Sequence, residues 1–436
     1  MMKKNVFLTL ILWVLLLAML IPMAACNQGT EGDPADTTET EQETEALPPP
    51  VDPASFGKAD IEYACQDGSV LYTYNAKTAD DFAGVRSYYL QNGYTEYSRS
   101  EKAGNHFATF IKESAMAHVY WYKYNGELNV VLSETAGANL PPVTSPEIMQ
   151  GNYPVTVTQM RDSSNVNGMC YIVQLPDGSF IVYDGSYEKR ARKVLSALEE
   201  LYPEGKPLIR AWVLTHSHND HYPAFSYVCQ KMTDDVKIEY VIFAPIDETL
   251  AKSHGGDNYF NVQAPLDIAK VGAKAVYAHS GMEFAFGDFK LEVLLASDDL
   301  YKVGNYNDYF NNSSTVTRIY GQDYSMLLLG DIGKEGTGLM TDVYGDYLKS
   351  NICQVSHHGV EDVPLEFYEL VQASILYYPC NLYLYNQTER HYEVRKALEE
   401  RSFTKEILIA GLGQYKRAWG TKFADDAPLS IPDKKK

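Results

Sequence analysis

The seven residues Thr215-His216-Ser217-His218-Asn219-Asp220-His221 bring three imidazoles and a carboxylate together, and three of the chain's ten histidines fall within six positions. Imidazole and carboxylate are the ordinary nitrogen and oxygen ligands of zinc and its first-row neighbours. The apolar run Leu208 to Leu214 just ahead of them reads as a buried strand that ends where the histidines begin. Alternation along an extended chain puts His216 and His218 on one side, where both rings share one ion. Asp220 and His221 turn into the next segment and offer a carboxylate and an imidazole to a second ion.

Further stretches carry the same residue types. Asn311-Asn312-Ser313-Ser314-Thr315-Val316 precedes the apolar run Met326 to Leu329, which ends in Gly330-Asp331. Next comes Gln354-Val355-Ser356-His357-His358-Gly359. Upstream, Phe180 to Tyr183 is an apolar strand ending in Asp184-Gly185, just ahead of a helical pattern over Tyr187 to Leu201.

An H-x-H-x-D-H string at a strand end resembles the signature of the metallo-β-lactamase superfamily. The order of an N-x-x-S segment, an L-L-x-G-D strand and an S-H-H-G turn resembles the metallo-β-lactamase-like domain of the competence DNA-uptake channel proteins. The likeness runs over roughly Gln159 to Leu412. It implies an α/β fold, a four-layer αββα sandwich, and a centre of two ions. His216 and His218, with a water or Asn311, hold the first; Asp220, His221 and His357 hold the second; Asp331 bridges. His358 stands beside His357 as ligand or proton donor, so Asp220, His358 and Asn311 are the catalytic candidates. Asp184 is expected to hold a metal-ligating histidine or the site loop from behind. Zinc suits this donor set, with manganese as the alternative, and two close ions would bring a shared water near neutral pKa.

Two positions depart from the commonest pattern. Asn311 stands where other members have a third histidine, which weakens one ion's site and argues against a β-lactamase. Pro223 stands where many relatives have glycine, so the loop backbone is set differently there without loss of a ligand. The implied reaction is hydrolysis, with a phosphodiester in a small molecule, wall polymer or nucleic acid favoured over a lactone, ester or lactam. The alternative is a non-catalytic lipoprotein that uses a metal-stabilised scaffold to bind a ligand; fold alone does not choose between chemistries. Of the remaining histidines, His279 and His254 are weaker candidates for the site, His391 precedes a helix, and His106 and His118 sit alone in strand patterns, as core or surface histidines usually do.

The elements that must carry these residues start late in the chain. Met1 to Ala25 has Lys3 and Lys4, an apolar run from Val6 to Met23, and small residues before Cys26. That is the layout of a secretory leader, and a Cys at this place resembles a bacterial lipobox, which implies lipidation of Cys26 and a folded part on the extracytoplasmic face of the membrane. Residues 26–53, rich in Thr, Glu, Gln and Pro and without an aromatic, read as a solvated acidic tether. Residues 54–140 read as a small α+β domain of alternating strands around one helix, Thr78 to Gln91, and residues 150–425 as the hydrolase-like domain, with a Pro- and Gly-bearing linker between. A formal charge of −20 argues against tight sequence-independent binding of nucleic acid, although a local basic groove would leave that open. A substrate, small or polymeric, and the membrane through the lipid are the expected partners, with no protein partner defined. The six cysteines follow no disulfide or zinc spacing.

Overall fold

Thr78 starts the first helix as its composition demands: its hydroxyl accepts from the N–H of Asp81, whose carboxylate accepts from the Thr78 N–H in return. The helix Ala79–Gln91 buries Phe82, Val85 and Tyr89 against one face of a six-stranded antiparallel sheet. Its strands are β1 (Ile61–Ala64), β2 (Val70–Tyr74), β3 (Thr95–Lys102), β4 (Asn105–Lys112), β5 (Ala115–Tyr122) and β6 (Glu127–Ser133), in the order β1-β2-β6-β5-β4-β3. This computed structural model describes residues 49–52, 56–161, 167–256, 259–301, 308–360, 363–389 and 392–432. Cys26, the leader, most of the tether and His391 lie outside the described residues.

Two seven-stranded sheets come next. The first contains β7 (Thr156–Gln159), β8 (Cys170–Gln174), β9 (Phe180–Asp184), β10 (Leu208–Val213), β11 (Lys237–Phe243) and β12 (Lys274–Tyr277). The second contains β13 (Glu283–Phe286), β14 (Phe289–Leu295), β15 (Val316–Gly321), β16 (Tyr324–Leu328), β17 (Ile352–Gln354), β18 (Ile375–Tyr378) and β19 (Glu406–Ile409). The last strand, β20 (Tyr415–Ala418), returns to pair antiparallel with β7, giving β12-β11-β10-β9-β8-β7-β20 against β13-β14-β15-β16-β17-β18-β19.

Side-chain alternation resolves the layers. Tyr171, Val173, Ile181, Tyr183, Ala211 and Val213 share one core with Val293, Ile319, Met326, Leu328, Ile375 and Tyr377 of the other sheet. The residues between them, Cys170, Ile172, Phe180, Val182 and Trp212, face the opposite way onto the helices Ala191–Leu201 and Pro223–Lys231. In the second sheet Leu327, Cys353, Leu376 and Ile407 likewise face outward, onto Met340, Phe367 and Leu398 of three helices. Sheets that bury both faces, covered by helices on each outer side, make the four-layer αββα sandwich. The other face of the six-stranded sheet is apolar too, and its Phe107, Tyr120, Tyr122 and Val131 join that outer core with Leu294, Leu295 and Tyr344.

β9 to β12 run parallel, as do β16 to β19. The carboxyl ends of parallel strands are where an α/β sheet frees its loops for chemistry. Asp184 closes β9, Thr215 to His221 follow β10, Asp331 follows β16, and His357 and His358 follow β17. The stretch after β11 holds a helix over Glu248–Ser253 because Asp247 caps it, accepting from the Leu250 N–H.

Candidate metal centre

β10 ends at Val213, so His216 and His218 do not alternate on an extended strand. They stand in a turn closed by the N–H groups of His221 and Tyr222, which both donate to the His218 carbonyl. Pro223 then opens the next helix at a position where its missing N–H is no loss. The turn is held from behind by Asp184: Oδ1 accepts from the Thr215 N–H at 2.8 Å, and Oδ2 accepts from the Thr215 hydroxyl at 2.7 Å and lies 2.7 Å from His221 Nδ1. The Trp212 indole donates to the Asp184 carbonyl at 2.8 Å. A carboxylate at Nδ1 fixes the ring's orientation and directs Nε2 forward.

Forward of that ring lies Asp331. Its Oδ2 is 3.1 Å from His221 Nε2, 3.5 Å from His358 Nε2, 3.7 Å from His216 Nε2 and 3.9 Å from His357 Nε2. The Ser314 hydroxyl, 3.4 Å from His216 Nδ1, accepts the Asp331 N–H at 3.0 Å. On the other side Asp220 Oδ2 lies 3.2 Å from His358 Nε2, an ion-pair approach rather than an aligned hydrogen bond, and the Pro379 carbonyl holds His358 Nδ1 at 2.5 Å. His357 and His358 take left-handed backbone angles, φ 45° and 56°, in succession. That strain turns the two side chains in different directions, and such pairs cluster at functional sites.

Two ligand sets result: His216, His221 and Asp331, all buried, and Asp220, His221 and His358. They overlap at His221, whose Nε2 has one lone pair and serves one ion at a time. The donor set fits a metal on two counts. His216 Nε2, His358 Nε2 and Asp331 Oδ1 are buried without a hydrogen-bond partner, a costly state unless something else satisfies them. Donors on a tetrahedral zinc, with bonds of about 2.05 Å, stand about 3.3 Å apart, and the spacings around Asp331 Oδ2 bracket that value.

The remaining expected site residues stand at the rim. His218 lies outside both sets, its ring centroid 4.8 Å from that of His216 and 5.9 Å from that of Phe310. His357, expected as the ligand of its pair, also lies outside them, and His358 takes the inner place because it is the one whose Nε2 reaches Asp220. Asn311 Nδ2 donates to Asp308 at 2.5 Å and lies 3.3 Å from His357 Nε2, while its buried Oδ1 has no hydrogen-bond partner. Asp308, which the sequence pattern did not single out, is thereby part of this wall. His279 is far from an exposed ligand: both its ring nitrogens are taken by Asp298 and Asp67. His254 stacks on Tyr309, and His118 bonds Thr109 and the Ser280 carbonyl within the core.

Burial and neighbouring charge set the protonation of the metal-free centre. Burial, reinforced by charge on His221, pushes His216 well below the ordinary histidine range, so its ring is neutral. Burial also disfavours charge on His221 and His358, but carboxylates prevail: Asp331 and Asp184 hold His221 well above the ordinary value, and Asp331 and Asp220 raise His358 to about 10. Burial favours protonation of Asp331 and Asp220, yet the facing imidazoles hold both carboxyls below their usual range. The centre thus carries protons where a metal cation would bind.

No family model matches this chain, and no curated protein resembles it in sequence at a significant level. Among solved structures, the metallo-β-lactamase fold protein YhfI from Bacillus subtilis aligns over 61% of this chain and 100% of its own, with 12% identity and a TM-score of 0.38. CmlA, a diiron β-hydroxylase from Streptomyces venezuelae, covers 60% of this chain and 45% of its own with 14% identity and a TM-score of 0.32. A metallo-β-lactamase from Hirschia baltica covers 51% and 68% with 9% identity and a TM-score of 0.23. Likeness of this degree carries nothing about chemistry, which has to be read from the centre itself.

Proposed function

We propose that this protein is a metal-dependent hydrolase of the metallo-β-lactamase type, nearest in motif order to the competence-channel subgroup, that cleaves a phosphodiester at the outer face of a bacterial cell membrane, held there by lipid on Cys26. The observation that carries the reading is the Asp331 carboxylate ringed by buried imidazoles, two of which, His216 and His358, leave Nε2 without a hydrogen-bond partner. Metal bound there would supply an acidified water and positive charge against the oxygens of the attacked group. The chain's own residues do the rest. Asp184 orients His221, and the Pro379 carbonyl orients His358. Asp220, with 22% of its side chain exposed, stays ionised at the mouth of the centre, where it would help hold the ion. Phe310 and Asn311 wall the opening.

Zinc fits a mixed imidazole and carboxylate set without sulfur, and the described cysteines, Cys65, Cys170, Cys229, Cys353 and Cys380, are buried and outside both ligand sets. Two ions are proposed, which His216, His221, Asp331, Asp220 and His358 would hold, with manganese as the alternative metal. Arg161, Arg190, Lys193 and Ser186 line a small cavity with Gly168, next to Met169, whose N–H donates to the Asp220 carbonyl. Concentrated positive charge there, in a chain of net charge −20, suits an anionic substrate, and the acidic remainder favours a small phosphodiester or wall polymer over long nucleic acid.

The test is turnover of bis(p-nitrophenyl) phosphate with and without a chelator. Chelator-sensitive turnover that Asp220→Ala abolishes supports the reading. Metal binding with no turnover of phosphodiesters, esters or lactams would transfer the protein to the non-catalytic binding class.

A further inference from the structure

We infer that Tyr63 and Asp67, on the first hairpin of the N-terminal sheet, are positioning residues for the Phe310–Asn311 wall of the metal centre; the inference rests on the metal reading above. β1 and the turn after it reach the loops that leave β11 and β12. The Tyr63 hydroxyl donates to Asp247 Oδ2. Asp247 is thus held at three atoms, for its Oδ1 caps the helix Glu248–Ser253 and its N–H donates to the Tyr309 hydroxyl at 2.5 Å. Tyr309 opens the short helix Tyr309–Asn312, so the bond sets the position of the two residues after it.

A second path runs in parallel. Asp67 Oδ1 is fixed by the Ser69 N–H and hydroxyl, and Oδ2 lies 3.2 Å from His279 Nε2. His279 Nδ1 meets Asp298, on the short helix Ser297–Tyr301. The Ser297 hydroxyl ties that segment to the Pro245 carbonyl at 2.7 Å, closing the two paths on each other. Both reach the wall through the stretch Pro245 to Asp247 and its bond to Tyr309. Phe310 packs 5.9 Å from His218, and a Cβ at Gly256 would fall 2.0 Å from the Phe310 ring, so the loop after Asp247 fits it closely. Asn311 faces His357.

The core strands fix the inner ligands without this hairpin, whereas the wall depends on it. Side chains that hold a wall by bonds to a separate sheet position it only while those bonds last. Three full-chain variants separate this role from general stability: Tyr63→Phe and Asp67→Asn break the two paths, and Asn105→Ala removes a contact of the same sheet, to the Val343 carbonyl, that leads nowhere near the centre. Each is titrated with cobalt(II), and the d–d absorption reports the ion's surroundings. The expected result is an altered band envelope in Tyr63→Phe and Asp67→Asn at a cobalt affinity close to the parent's, with the Asn105→Ala spectrum superimposing on the parent. Spectra of Tyr63→Phe and Asp67→Asn that match the parent would overturn the inference alone, as would an equal change in Asn105→Ala. A parent chain that binds no cobalt would overturn the metal reading and this inference with it.

Discussion

The buried histidines of the N-terminal seam and those of the metal centre obey different rules. At the seam, His118 and His279 engage both ring nitrogens within the protein. At the centre, His216 and His358 engage Nδ1 and leave Nε2 unbonded, with the same depth of burial. Burying an imidazole therefore does not by itself decide its role. What decides is whether the fold closes its second nitrogen or keeps it open beside a carboxylate. The seam uses histidine to fix two segments to each other; the centre leaves two of its histidines with a nitrogen open to a ligand.

The largest effect should come from removing the hub. Asp331→Ala takes away the carboxylate that faces four imidazoles, and metal binding and turnover should both fall by several orders of magnitude in titration and rate assays. Asp184→Asn leaves every ligand in place but weakens the orientation of His221, so metal affinity should drop about 10- to 100-fold. His279→Gln should invert that pattern. It leaves Asp67 and Asp298 without a buried counter-charge and should cost roughly 3 kcal/mol in denaturant unfolding, while the ions bound per chain stay as in the parent.

A smaller effect sharpens the comparison through pH. His279 and His358 are each raised to about 10, so their protons are held in the folded chain and lost from the unfolded one above about 6.5. Their contribution to stability is complete below about 6.5 and is lost as pH rises through about 10. The metal-free protein should therefore melt at falling temperature across that window. The metal-loaded protein should show a shallower fall, because His358 then gives up its proton to binding, and the difference between the two slopes is the centre's share.

Much of the sandwich was legible because its strands alternate and end on punctuation. Leu208 to Val213 announces itself by composition, and the capping Thr78 and the stop at Asn92-Gly93 bound the first helix. The turn His216 to His221 was legible as a ligand source but not in its geometry, since alternation holds only while the chain stays extended and β10 ends too early. The choice between His357 and His358 was out of reach: adjacent identical residues differ only in where two left-handed backbone angles send them. Asp308, Phe310 and the Tyr63–Asp247 contact were equally hidden, because each depends on residues brought together from distant parts of the chain. Of these, Asp247 left a local trace, a capping Asp ahead of Glu248.

The most direct test is a zinc titration of the purified full chain, followed by elemental analysis, alongside Asp331→Ala. The account predicts up to two ions per chain held through a chelating wash at neutral pH, protons released on binding, and no stable ion in the variant. A parent chain that emerges metal-free after exposure to zinc and manganese, or an Asp331→Ala variant that binds as tightly as the parent, would contradict it.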